Sequence, residues 1–130
     1  MSETLSLDEA YAQICTDYCQ HADAGRATEL AALYTPDGVF DRVGQRFEGR
    51  DAISKMLASR PPEVWTEHRC SNLSVQAESR VRALGQADLF MRRGRKDSDK
   101  VEEVRARCVD TLVCGDDGWH LAVRVVQLQK

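Results

Sequence analysis

The chain has 130 residues, 42% of them hydrophobic, 30% charged and 6% aromatic, the balance of a water-soluble globular domain rather than a fibrous, disordered or membrane-spanning chain. Eighteen Lys and Arg stand against 21 Asp and Glu, a formal charge of -3, so there is no basic field to hold a nucleic acid. No stretch reaches the 18 or so apolar residues that a membrane span needs.

Met1-Ser2-Glu3-Thr4 opens on polar and acidic residues where a secretion signal would carry positive charge, which points to a cytoplasmic protein. Five cysteines, an odd number without C-x-x-C spacing, agree with reduced thiols in that compartment. Ser6-Leu7-Asp8-Glu9 reads as a capping box and predicts a first helix with Leu7, Tyr11, Ile14, Tyr18 and Ala22 on its apolar stripe, stopped at Gly25. Leu30, Leu33 and Tyr34 suggest a short second helix, closed by a reversal at Thr35-Pro36-Asp37-Gly38. Val39–Val43 and Gln45–Glu48 flank Gly44 as two short strands. A third helix follows from Gly49-Arg50-Asp51 and ends before Pro61-Pro62.

Beyond Trp65 the period changes to two in four runs: Thr66–Ala77, Val81–Arg92, Val101–Cys114 and Trp119–Leu128. They predict an antiparallel meander whose last hairpin turns at Gly115-Asp116-Asp117-Gly118. Helices first and long strands afterwards predict one α+β domain over residues 1–130, about three helices packed on a cone-shaped, curved antiparallel sheet that encloses a pocket. On the last strand Trp119, Leu121, Val123 and Val125 share one face; His120, Ala122, Arg124, Val126 and Leu128 share the other. Helices cover only one face of a sheet, and both faces here are apolar. A homodimer through the uncovered face is therefore expected.

Several stretches carry a resemblance in the right order: Ile14 to Asp23; Leu33-Tyr34-Thr35-Pro36-Asp37-Gly38-Val39-Phe40; Phe47-Glu48-Gly49-Arg50-Asp51-Ala52-Ile53; His68-Arg69-Cys70-Ser71-Asn72; and Gly118-Trp119-His120-Leu121 on to Arg124. They resemble the SnoaL-like branch of the nuclear transport factor 2-like superfamily, nearest to the scytalone dehydratase and bile-acid dehydratase type. Polyketide cyclases, ketosteroid isomerase and many members without catalytic activity share that fold, so function has to come from the pocket. The resemblance implies that Tyr18, Asp23, His68 and Arg124 face the cavity as catalytic residues. Tyr34, Phe40, Trp65, Asn72 and Asp110 are candidates to bind the substrate.

Each candidate has a plainer reading. Asp23 falls at the carboxyl end of the first helix, where backbone carbonyls disfavour a carboxylate, so stability alone would not select it; a solvated or capping acid is the alternative. Tyr18 lies on the apolar stripe and its buried hydroxyl requires a partner. His68 alternates with Cys70, Asn72 and Ser74 on one strand face, too polar a set for packing alone, although a structural histidine is the alternative. Arg124, between Ala122 and Val126, needs an anion that Asp23 or Asp110 could supply; Asp110 itself could be a substrate ligand or half of a structural salt bridge. His21 and His120 flank these positions as supporting possibilities. Cys15, Cys19 and His21 match no zinc spacing, so no metal is expected. Arg92-Arg93-Gly94-Arg95-Lys96, beside Asp97 and Asp99, reads as a solvated hairpin tip that could steer an acidic ligand.

The expected activity is that of a cofactor-independent lyase or isomerase acting on a small, hydrophobic, cyclic carbonyl compound. His68 would abstract the proton, Asp23 would orient His68, and Tyr18 would donate to the carbonyl or leaving hydroxyl. The alternative is a dimeric small-ligand binder or accessory protein without chemistry. The two differ in whether His68 and Asp23 come within about 3 Å at one cavity.

Overall fold

A computed structural model describes residues 5–129; the amino-terminal Met1–Thr4 segment lies outside them. Helix α1 (Leu7–Ala24) begins at the expected capping box, with Ser6 Oγ accepting from the Glu9 amide and Glu9 Oε1 from the Ser6 amide, both at 3.1 Å. Its stripe of Tyr11, Ile14, Tyr18 and Ala22 is buried, and it lies across strand β3 (Val64–Ala77). Helix α2 (Ala27–Ala31) and helix α3 (Arg50–Ala58) pack on each other, with Leu30 and Ile53 buried. Among the described residues no helix is long and apolar enough to cross a membrane.

The remaining strands are β1 (Tyr34–Arg42), β2 (Gln45–Glu48), β4 (Arg82–Arg95), β5 (Val101–Gly115) and β6 (Gly118–Leu128). They form one six-stranded sheet in the order β2-β1-β6-β5-β4-β3. The fold is α+β, and its β3-β4-β5-β6 portion is the expected antiparallel meander. One pair departs from the expectation: β1 runs parallel to β6. Leu33 and Tyr34 also leave the second helix, because Tyr34 already pairs with Leu121 and the following residues form a bulge within β1 rather than a full reversal.

Two further bulges decide which side chains point inward. On β3 both Asn72 and Leu73 stand opposite the single residue Ala87, and Asn72 takes a left-handed φ of 51°. Inward positions therefore shift from His68 and Cys70 before the bulge to Val75 after it. Ala122 is the extra residue on β6, so Leu121, Arg124 and Val126 all point into the core, although simple alternation would separate Leu121 from the other two. The β1–β2 turn places Val43 and Gly44 at φ 51° and 85°, a conformation that a β-branched residue adopts only under strain.

The core lies between α1 and the inner sheet face: Tyr11, Ile14 and Cys15 against Ala83, Ala87, Cys108, Leu112 and Leu121. Gly85 makes room for the Tyr11 ring, because a Cβ there would stand 2.6 Å from that ring.

Candidate active site

Asp23 sits in the last turn of α1 and His68 on the inner face of β3, the two elements that pack together. Asp23 Oδ1 is 2.6 Å from His68 Nδ1, and Oδ2 accepts the backbone amide of His68 at 2.9 Å. Thr66, two residues earlier on the same face, donates its hydroxyl to Oδ1 at 3.0 Å. An ionised carboxylate only accepts, so Nδ1 is the donor in this contact, and in a neutral ring that tautomer leaves Nε2 as the lone pair. Arg60 ties the assembly to the helix end: it donates to the Ala22 carbonyl at 2.8 Å and to Thr66 Oγ1 at 3.0 Å. A guanidinium on terminal carbonyls opposes the unfavourable dipole that Asp23 meets there.

His68 borders a cavity of about 1140 Å³ between the helices and the inner sheet face, and Asp23 stands behind it. The His68 side chain is 15% exposed and that of Asp23 29%. Tyr18, Phe40, Leu57, Leu89, Met91 and Val126 contribute to the wall, as does Arg124. Apolar walls with a few converging polar groups are what small-molecule sites share.

Arg124 belongs to a second, sealed network. Its Nε and Nη2 donate to Asp110 Oδ1 and Oδ2 at 2.9 and 2.8 Å, and Tyr11 donates to the same carboxylate at 2.6 Å. Asp110 and Arg124 are each 1% exposed. Burial opposes the charge on Arg124, but Asp110 beside it outweighs that and holds the guanidinium protonated. The anion that Arg124 requires is thus Asp110, not Asp23. The guanidinium carbon lies 4.4 Å from the Tyr18 ring centroid, a cation–π contact, and Tyr18 and Tyr34 hydroxyls meet at 3.0 Å. Burial pushes the Tyr18 phenol up to about 12, with Arg124 working against the rise, so it stays a protonated donor at neutral pH.

Of the nine candidates, Tyr18, His68, Arg124 and Phe40 border the cavity and Asp23 supports one of them. Tyr34 and Asp110 are sealed behind the wall. Trp65 lies on the opposite strand face from Thr66 and His68, its ring packed on Gly94. Asn72, turned by the bulge, is exposed and donates to Asp88 at 2.8 Å. Those four do not form the cavity wall. Thr66, Arg60 and Tyr11 were not among the candidates. Thr66 could have been found from its place two residues before His68, whereas the partners of Arg60 and Tyr11 are remote in sequence.

Cys19 and Cys70 meet with sulfurs 3.5 Å apart, and Arg124 Nη2 donates to Cys15 Sγ at 3.5 Å. Among the described residues no three His, Cys, Asp or Glu side chains cluster so as to hold a metal ion.

The SnoaL-like domain family matches residues 3–125. The chain belongs to that family. No curated protein matches it. A solved structure from Novosphingobium aromaticivorans, provisionally named a scytalone dehydratase, is similar at 24% identity and a TM-score of 0.85, over 93% of this chain and 83% of that one. ActVI-ORFA from Streptomyces coelicolor is similar at 19% identity and a TM-score of 0.82, over 95% and 97%. A protein from Catenulispora acidiphila, solved in complex with S-DNPA, is similar at 27% identity and a TM-score of 0.74, over 91% and 90%. This chain thus shares the SnoaL-like, nuclear transport factor 2-like fold with these proteins.

Proposed function

We propose that the chain is a cofactor-independent lyase, a dehydratase in type, or an isomerase acting on a small, hydrophobic, cyclic carbonyl compound. The observation that carries this reading is the 2.6 Å contact between Asp23 and His68 at the wall of an apolar cavity. A passive binder of the same fold has no use for an oriented base.

His68 Nε2 takes a proton from the carbon next to the substrate carbonyl, and the electron pair moves toward the carbonyl oxygen. Asp23 fixes the tautomer and stabilises the imidazolium that forms. Tyr34 donates to the Tyr18 oxygen, which leaves the Tyr18 proton free to bond the developing enolate oxygen, with the Arg124 charge behind the ring. The imidazolium then returns its proton to a β-hydroxyl, which leaves as water, or to another carbon, which gives the isomer. In this scheme Tyr18 and His68 touch substrate, while Asp23, Thr66 and Tyr34 act through them.

A panel of cyclic β-hydroxy ketones, followed by the absorbance of the conjugated enone, tests the reading. His68→Ala should lose about 100-fold to 10,000-fold in turnover, and full turnover by that variant would overturn it.

The outer sheet face supports a homodimer. Val109, Val113, Val123 and Val125 alternate with the inward side chains of β5 and β6 and are only partly covered. Sedimentation at the mass of two chains is expected, and a single-chain mass at micromolar concentration would refute it.

A further inference from the structure

Among the described residues, six cationic side chains and one carboxylate, Glu102, border the cavity of a chain whose net charge is -3. Four of the cations are already engaged. Arg124 holds Asp110, Arg93 pairs with Glu102, Arg95 with Glu63 at 3.1 Å, and Arg60 is spent on backbone carbonyls and Thr66. Arg42, at the β1–β2 turn, and Lys100, in the β4–β5 loop, have no ion-pair partner among the described residues. Arg42 is nonetheless placed, with Nη2 3.4 Å from Gln45 Oε1 and its guanidinium 6.0 Å from the Phe47 ring centroid. Asp97 lies against Arg95, and neither it nor Asp99 borders the cavity. The exposed mouth is therefore positive while the walls behind it, Phe40, Leu57, Leu89 and Met91, are apolar.

We propose that the ligand of this cavity is amphipathic, with an apolar body against the inner wall and a terminal anion, a carboxylate or phosphate monoester, at the mouth within reach of Arg42 and Lys100. This rests on the reading of the cavity as a substrate site. An uncharged ligand gains nothing from two unpaired cations, whereas an anion is steered inward and held by them. Both cations are exposed, so each contributes modestly and in a salt-dependent way.

Fluorescence titration with N-phenyl-1-naphthylamine, which is neutral, and 8-anilinonaphthalene-1-sulfonate, the same body bearing an anion, tests this. The sulfonate should bind about fivefold to tenfold more tightly at low salt, two exposed ion pairs' worth. Added salt should erode that advantage, and the Arg42→Gln/Lys100→Gln double variant should abolish it while the neutral probe binds as before. Should the double variant lose the neutral probe as well, each single variant must show a partial loss of the advantage. Displacement of the probe by dodecanoate or by dodecyl phosphate, with dodecanol as the neutral reference, tells carboxylate from phosphate. Equal binding of the two probes, an advantage that survives both substitutions, or displacement by dodecanol as effective as by either anion would overturn the proposal. His68→Ala should leave the sulfonate advantage intact, so a failure of the proposed chemistry is distinguishable from a failure of this inference.

Discussion

Two carboxylates at the inner side of the sheet, Asp110 and Asp23, each gather hydrogen-bond donors, but they are placed differently. Around Asp110, Arg124 and Tyr11 the carboxylate accepts three hydrogen bonds, and both Asp110 and Arg124 are almost wholly buried. Around Asp23 the carboxylate gathers Thr66 and both the amide and ring of His68, yet the imidazole remains at an open wall. A buried pair specifies structure because breaking it strands a charge in a poor dielectric. A half-open arrangement strands less charge when a partner is lost, and the proposed proton transfer needs such a place. Arg124 joins the two, as its other side lies on the Tyr18 ring at the cavity.

The contrast is broken most severely at Asp110. Asp110→Asn should destabilise the protein by about 3 to 5 kcal/mol, measured by denaturant unfolding, because Arg124 has no other carboxylate partner among the described residues. A loss below about 1 kcal/mol would mean that water reaches the pair. Gly85→Ala forces the Tyr11 ring away from β4 and should cost about 1 to 3 kcal/mol in the same assay.

Alkali probes the sealed side without a mutation. Tyr11, Tyr18 and Tyr34 are all buried, and burial first of all pushes each phenol up, Tyr18 to about 12. A raised folded-state pKa means that this stability is complete below the unfolded tyrosine value and disappears as pH climbs from about 10 toward 12. Phenolate absorbance should therefore appear in one cooperative step together with unfolding; gradual titration of the folded protein would contradict the burial.

Asp23→Asn is the opposite case. Lost hydrogen bonds cost about 1 kcal/mol, while removing a negative charge from a helix carboxyl end returns about 0.3 to 1 kcal/mol. The net change in stability should fall within about 1 kcal/mol of zero. A cost like that of Asp110→Asn would make the Asp23–His68 pair structural.

Local chemistry explains what was legible in the sequence. The capping box, Gly25 and the four alternating runs depend on neighbours a few residues apart, and they place Asp23 at a helix end and His68 on a strand. Two single-residue bulges were not legible. Asn72 has the same alternation as His68 on paper, but one extra residue turns it out to Asp88; Ala122 likewise brings Leu121 and Arg124 to one face. The choice between Asp23 and Asp110 as the partner of Arg124 depended on strand register, which places Asp110 directly across from Arg124. Trp65 and Tyr34 are aromatic and near the site in sequence, yet backbone alternation and complete burial keep them off the wall.

Proton abstraction is common to dehydration, isomerisation and ring closure, so it can be measured without the natural substrate. Exchange of the α-protons of 2-tetralone in deuterated water, followed by NMR, reports on His68 directly. Acceleration by the native protein that falls by about 100-fold or more in His68→Ala is the predicted result; exchange at the buffer rate, or at an undiminished rate in the variant, would contradict it.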